Sequence, residues 1–413
     1  MMKPLRILQI SPQVPLPLSD GGKVAIFNTT KYLARRGHEL TMLAFHLDRS
    51  VNPDPMREYC QLIAVPHSNK DSLYRAGKNL FTAVPYGISK YRSPIMLAKL
   101  ENLLASRTFD VVHVDHLHMA HYGVHAKRSK GLPVLLREHN VESTIVERFA
   151  DSVRIPVFRQ WMQLQKRRIK KYEAERAGQC DLNCTVTAED SKRLLTLLPS
   201  ANVRDIPEGI AEEFFQTVNR EPIPKSICLF GSFDWLPNRD SLSWFVEDIF
   251  PRVLERDPEI TLYVVGKHSP KQYEVRYPGK IVIRGFAPDL KSELAQYVLT
   301  VVPLRIGAGI RMKILESFAM GLPVVSTSIG AEGIKANHGE HLSIGDTPTE
   351  FAEGILRMLE DSDFRSTVQK NAKHLADQNY RWEHVAYQLE NAYREIMDGH
   401  PRERVAPRSD RSS

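Results

Sequence analysis

The residues with the clearest chemical content lie in Val301–Thr327, VVPLRIGAGIRMKILESFAMGLPVVST. An apolar run ends at Pro303, a glycine-containing loop spans Arg305–Gly309, and a helix is predicted from near Ile310. A loop feeding a helix N-terminus offers free N–H groups and the positive end of the helix dipole, which together favour an anion. Arg311 and Lys313, in the first turn, oppose that dipole. A bound diphosphate would reverse the penalty, so Gly307, Ala308, Gly309, Arg311 and Lys313 form a candidate phosphate site. A solvated helix start is the alternative. Glu316 falls among Ile314, Leu315, Phe318 and Ala319. A carboxylate on such a surface needs partners. A ribose diol would supply two donors; a structural cap or an ion pair would also serve.

Two further segments carry polar groups at strand ends. Ser19–Lys23, SDGGK, follows the first predicted strand and opens a helix. Gly21 and Gly22 would let the backbone approach a ligand there, although an ordinary tight turn reads the same way. In DVVHVDHLHMAH, His116 ends a strand and is a candidate for acceptor or sugar contact. Residues His113, His116, His118 and His121, at spacings of three, two and three, converge poorly on one strand and loop, so no metal site is expected. No GxGxxG follows a strand and no GxxxxGK[ST] occurs, which disfavours a nicotinamide or flavin site and a P-loop nucleotidase.

The elements that must position these residues repeat one pattern. Leu5–Ile10, Leu40–Phe45, Asp110–Val114 and Pro133–Leu136 read as buried strands alternating with helical segments. One helix spans about Lys23–Arg36, with Gly37 at its C-cap. A stretch rich in Pro, Gly and charge follows, and the pattern restarts with strands at Ile227–Phe230, Thr261–Val265, Ile281–Ile283, Leu299–Val302 and Pro323–Ser326, and a helix over Asp240–Arg256. The expected organisation is α/β: a domain over residues 1–205, a linker over 206–224, a second domain over 225–380, and a disordered tail over 399–413. Two Rossmann-like parallel sheets would face each other across a ligand cleft. The last helix, 382–397, carries Trp382, Val385, Leu389, Tyr393 and Ile396 on one face.

Composition is that of an ordinary globular chain: 413 residues, 42% apolar and 25% charged, with a net charge of +7. No apolar run reaches the length of about 18 residues that a membrane helix needs. The N-terminal run lacks the apolar region of a signal peptide. Cys60, Cys180, Cys184 and Cys228 fit neither a disulfide framework nor zinc spacing and read as buried thiols. A cytoplasmic location is expected. Residues 154–176 hold eight basic side chains and two acids, with Phe158, Trp161, Met162, Ile169 and Tyr172 at helical spacing. Such a helix suits an anionic membrane at the inner face of the plasma membrane, an acidic acceptor, or simply a solvated face. The basic residues are not interleaved with a nucleic-acid-binding motif, so no nucleic acid partner is expected.

Taken together, DGGK near the start, REHNVES, FGSFDWLPNRDSL, GAGIRMKILESFAMGLPVVST and the final YRW-plus-helix resemble glycosyltransferase family 4 with the two-lobed GT-B fold, over residues 4–397. Within it they resemble bacterial exopolysaccharide and surface-glycan enzymes. The resemblance implies retaining transfer from a nucleoside diphosphate sugar to a glycan or lipid-linked acceptor, without cofactor. Gly21 and Gly22 would lie near the donor phosphates, His139 by the sugar and leaving group, and Asn140 among the acceptor or sugar contacts. Glu316 matches the second glutamate of the family's E-x7-E motif, which holds the ribose. The final helix would cross back to the first domain.

The chain departs from the family at three positions. Ala308 stands where the first glutamate of that motif belongs, and Ser232 and Asn238 stand where many relatives carry an Arg and a Lys. Arg311 and Lys313 would then replace those cations. No DxD-like carboxylate pair stands out, which agrees with a metal-independent, cation-based site. Two other readings of the same fold are a nucleotide-sugar epimerase and a non-catalytic nucleotide-sugar-binding protein.

Overall fold

A computed structural model describes residues 3–18, 21–152, 155–218, 220–306 and 309–399. It holds two wholly parallel sheets. The first comprises β1 (Arg6–Ser11), β2 (Glu39–His46), β3 (Gln61–Pro66), β4 (Val111–Asp115), β5 (Val134–Glu138), β6 (Leu182–Thr185) and β7 (Val203–Asp205), in the order β3-β2-β1-β4-β5-β6-β7. The second comprises β8 (Ser226–Phe230), β9 (Thr261–Val265), β10 (Ile281–Gly285), β11 (Leu299–Val302), β12 (Val324–Ser326) and β13 (Ser343–Ile344), in the order β10-β9-β8-β11-β12-β13. These strands read as continuous apolar runs because helices cover both faces; β4, β5, β8 and β11 are buried at every residue.

Strand order reverses between β1 and β4 in one sheet and between β8 and β11 in the other. Such switch points open a crevice at the strand carboxyl ends. The register Ile7↔Val111 to Ile10↔Val114 brings the segment after β1 beside the segment after β4. Likewise Leu299↔Ile227 brings Gly231 beside the loop that starts at Arg305.

The helix Trp382–Asp398 belongs to the core of the first sheet. Trp382, Val385, Leu389, Tyr393 and Ile396 share one cluster with Leu5, Ile7, Leu33 and Met42. Trp382 stacks on Tyr32 at 6.2 Å between centroids. Gly209 passes so close to the indole that a Cβ there would stand 2.5 Å from the ring. The N–H of Ile210 donates to the carbonyl of Tyr380 at 2.7 Å, so the two chain crossings between lobes run side by side. Arg193 bridges Asp190 and, in the other lobe, Glu332 at 2.6 Å; Lys335 reaches Asp205 at 3.3 Å.

Local details differ from the sequence reading. The helix expected over Asp240–Arg256 starts earlier, at Leu236, and widens into a π turn over Phe245–Ile249 before Phe250–Arg256. Pro251 has no N–H to continue the regular ladder, which accounts for the widening. Strands β3, β6, β7 and β13 carried too little pattern to be read: β6 is LNCT, whose Asn183 is buried and donates to the carbonyl of Ala177. The second glycine-loop helix begins at Met312, two residues later than expected. All four cysteines are buried free thiols. No helix among the described residues is long and apolar enough to cross a membrane. Gly307, Ala308, Ser19, Asp20, Arg154 and the tail from His400 onward lie outside the described residues.

Candidate functional site

The first lobe's contribution begins where β4 and β5 end side by side. The chain leaves Asp115 through His116, which takes a positive φ of 67°, a conformation costly for a residue with a Cβ and typical of functional sites. It leaves β5 through His139. Parallel pairing then places the two imidazoles face to face, 4.2 Å apart and 22° from parallel.

Carboxylates hold His139 from both sides. Its Nδ1 lies 2.9 Å from Glu208 Oε1, and its Nε2 lies 3.6 Å from Asp115 Oδ1. Asp115 accepts from Gln9 Nε2 at 2.8 Å and pairs with His113 at 3.0 Å. His113 in turn meets the Tyr393 hydroxyl of the last helix at 2.7 Å. Glu208 is 3.5 Å from Arg137, whose guanidinium donates to the carbonyls of Ile206 at 2.6 Å and Pro207 at 3.0 Å. Arg137 on β5 therefore fixes the linker so that Glu208 faces the ring.

The electrostatics follow from that packing. Burial alone would strip the proton from His139, but Glu208 and Asp115 outweigh it and raise the pKa to about 9. Burial pushes the Glu208 pKa up, yet Arg137 and His139 hold it below the usual carboxylate range. Asp115 is likewise held low, against burial, by His113 and His139. Burial and the charge of His139 push His116 well below 6.5, so the stack pairs a neutral ring with a charged one. Two carboxylates, one imidazolium and one guanidinium thus form a buried set with no net charge, which makes it stable only while complete.

The second lobe supplies cations. Gly231, just after β8, has φ +151°, and a Cβ on it would stand 2.9 Å from the Lys313 ammonium. Only glycine leaves the room for Lys313 to donate to the Phe230 carbonyl at 2.7 Å and to Asn238 Oδ1 at 3.1 Å. Arg311 caps the Met312–Ala319 helix, is 6% exposed, and donates to the carbonyl of Gly309 at 3.0 Å. Its guanidinium lies 5.9 Å from the Trp235 ring. Arg305 grips Asp240 with two bonds, at 2.6 and 3.1 Å. Burial and then Arg311 lower the Lys313 pKa to about 8. Burial raises Glu316, one turn further on, to about 7 despite Lys313. A buried cation, Arg311, that lowers the pKa of a partly buried neighbour, Lys313, is an unfavourable arrangement that an anion would relieve.

The lobes meet at this corner. Gly309 has φ +78°, and Asn140, directly after His139, holds its Oδ1 3.0 Å from where a Gly309 Cβ would be. The structure therefore joins His116, His139 and Asn140 on one side with Gly309, Arg311, Lys313 and Glu316 on the other. Gly21 and Gly22 open the helix Gly21–Arg35 after β1, and a Cβ on Gly21 would meet nothing within 4 Å. The four histidines of the second strand segment go separate ways: His113 to Tyr393, His116 to His139, His118 to Tyr91, and His121 to Tyr122 and Tyr172.

Sequence reading missed Asp115, Arg137 and Glu208. The available signal was charge inside apolar strands, as in VVHVD and VLLRE, and a glutamate in the linker run IPEGI.

Comparison with known proteins places these lobes. Residues 19–214 match Glycosyltransferase Family 4, and residues 224–361 match Glycosyl transferases group 1, together about four-fifths of the chain. An uncharacterized 44.6 kDa protein in the cps region of Klebsiella pneumoniae is 21% identical over 403 residues, covering 91% of this chain and 96% of that protein. Phosphatidyl-myo-inositol mannosyltransferase of Mycobacterium tuberculosis is 21% identical over 424 residues, covering 97% and 100%. The crystal structure of HepE from Anabaena in complex with UDP superposes with a TM-score of 0.68 at 14% identity, covering 95% of this chain and 100% of that one.

Proposed function

We propose that this chain, whose residues 19–214 and 224–361 match glycosyltransferase family models, carries out retaining, metal-independent transfer of a sugar from a nucleoside diphosphate sugar to a glycan or lipid-linked acceptor in surface polysaccharide synthesis. The observation that carries this reading is the pair of cations, buried Arg311 and partly buried Lys313, beside Gly309 and across from Asn140 and His139. The departing nucleoside diphosphate gains charge as the glycosidic bond breaks. Fixed cations aimed at it in a closed cleft stabilise that charge by several kcal/mol. They also supply the positive charge that a divalent ion would otherwise bring.

Lys313 would bind a phosphate oxygen beside Asn238, the position at which many relatives place a cation. Glu316 would take the ribose hydroxyls: no described protein group hydrogen-bonds its carboxylate, which leaves it open to a ligand. The imidazolium of His139 would lie by the sugar and the leaving phosphate, its charge maintained by Glu208 and Asp115. Retention by a front-face route uses the leaving phosphate to take the acceptor proton, so no protein nucleophile is required. The UDP complex of HepE supports a donor that releases a nucleoside diphosphate.

The test is a thermal-shift screen with UDP-, GDP-, ADP- and CMP-sugars, followed by mass analysis of products with acceptor added. One donor should raise the melting temperature, because a ligand of the native state stabilises it. Isomerised donor with no acceptor present would favour an epimerase instead.

A further inference from the structure

A cavity of 540 Å³ opens in the first lobe, away from the cations of the second. It lies between the helix Pro156–Ala177, the helix Glu142–Ser152 and the segment 71–88. Its interior is apolar: Ile88, Val146, Trp161, Met162 and Ile169 supply most of the wall. Tyr86 and Phe158 pack against Trp161 at 5.6 Å each.

Polar clamps, one of them from the lining residue Gln165, hold these walls in place. Glu173 accepts from the N–H groups of Glu142 at 2.7 Å and Ser143 at 3.2 Å, joining the two helices. Gln165 accepts from the Tyr86 N–H at 2.8 Å, and Arg168 donates to the Asn79 carbonyl at 2.9 Å. The space is therefore built rather than left over, and its volume suits an apolar ligand.

The cavity has two unlike ends. At the inner end His118 Nδ1 and Glu142 Oε1 stand 3.9 Å apart, and the His118 ring is 6.4 Å from His116, which stacks on His139. Lys90, paired with Asp71 at 3.0 Å, lies over the Tyr86 ring at 5.5 Å. At the other end the lining residues Phe149 and Phe158 are 51% and 40% exposed, and Ile155 and Val157, near Phe158 in the chain, are 66% and 80% exposed. An apolar lip of this kind marks a surface that meets something apolar. Lys166 and Lys170 of the helix Pro156–Ala177 both pair with Glu147, at 2.8 and 3.0 Å, and Arg159 and Arg167 lie on that helix as well.

We propose that this cavity binds the hydrocarbon chain of a lipid-linked acceptor, with the anionic, sugar-bearing head at the His118–Glu142 end and the chain leaving past Phe149 and Val157. A compact aromatic ligand would leave the exposed lip without a role, whereas a long chain continues over it. The basic side chains beside the lip complement an anionic lipid surface from which such a chain would enter. The orientation delivers the head to the His116–His139 stack, where transfer would occur, so the inference rests on the glycosyl-transfer reading.

The experiment uses the full chain and three probes: farnesyl phosphate, isopentenyl phosphate and inorganic phosphate, followed by tryptophan fluorescence and calorimetry. Farnesyl phosphate should saturate and bind at least about tenfold tighter than isopentenyl phosphate, because the longer chain buries more apolar surface. Val146→Trp, which fills the cavity, and Phe158→Asp, at its exposed mouth, should each weaken farnesyl phosphate at least about tenfold. Both should leave nucleotide binding by the second lobe unchanged. Equal affinity for the two lipid phosphates, or binding insensitive to both variants, would overturn the proposal. So would adsorption to phosphatidylglycerol vesicles with no uptake of farnesyl phosphate. In the wild-type chain, nucleotide binding without any farnesyl phosphate binding rejects this inference alone; absence of both rejects the transferase reading as well.

Discussion

The substitution Glu208→Gln keeps the shape of the side chain and removes one negative charge 2.9 Å from His139 Nδ1. The rise of the His139 pKa from 6.5 to about 9 corresponds to about 3 kcal/mol in favour of the charged ring, at about 1.4 kcal/mol for each tenfold change. Glu208 is the strongest of the influences that raise it, and burial is the strongest that lowers it. Without Glu208, only Asp115 is left to oppose burial, and the His139 pKa should fall from about 9 toward its ordinary value. The sign of the stability effect follows. A group whose folded pKa lies above its unfolded value stabilises fully below the unfolded pKa, and that stability is lost as pH rises through the folded pKa. The wild-type contribution is therefore complete below about pH 6.5 and gone above about pH 9. The gap in stability between wild type and Glu208→Gln should then be several kcal/mol near pH 6 and should narrow toward pH 9.5. Nitrogen-15 NMR of the imidazoles, with His139→Gln to assign the signal, reads the titration directly, and melting at both pH values reads the linkage. A His139 signal that still titrates near 9 in the variant, or a stability gap that is flat across this range, would refute the reasoning.

Four other outcomes are expected. Arg311→Ala and Lys313→Ala should each weaken donor binding about ten- to a hundredfold, the range of one charge-assisted hydrogen bond; calorimetry showing near-normal affinity in both would remove the phosphate role. Because the Lys313 pKa is about 8, wild-type donor affinity should decline as pH rises through that value, and the decline should vanish in Lys313→Ala. Glu316→Gln should weaken a nucleoside diphosphate but leave inorganic pyrophosphate unaffected, since the pyrophosphate lacks the ribose; equal losses for both ligands would speak against a ribose contact. Gly209→Ala forces a Cβ to within 2.5 Å of Trp382 and should cost about 1–3 kcal/mol in denaturant unfolding. Unchanged stability would mean that the last helix is not held there as described.

The amino-acid sequence alone determined the doubly wound architecture, because strands buried on both faces must be continuously apolar and the helices between them must be amphipathic. It also placed a helix and its cations after the glycine loop, though the start is Met312 and not Ile310, since arginine, lysine and glutamate at fixed offsets on one loop and one helix stay neighbours in space. The Trp382 stripe was legible for the same reason: its contacts repeat at helical spacing. Only the tertiary structure could join Asp115, Arg137, His139 and Glu208, which come from two strands and a linker. Their pairing depends on the β4–β5 register and on Arg137 anchoring the carbonyls of residues 206 and 207. Whether a histidine between such partners is charged depends on burial and distance, and neither has a signature along the chain. The apolar cavity is equally invisible in sequence, because a wall residue and a core residue read alike until the packing leaves a space between them.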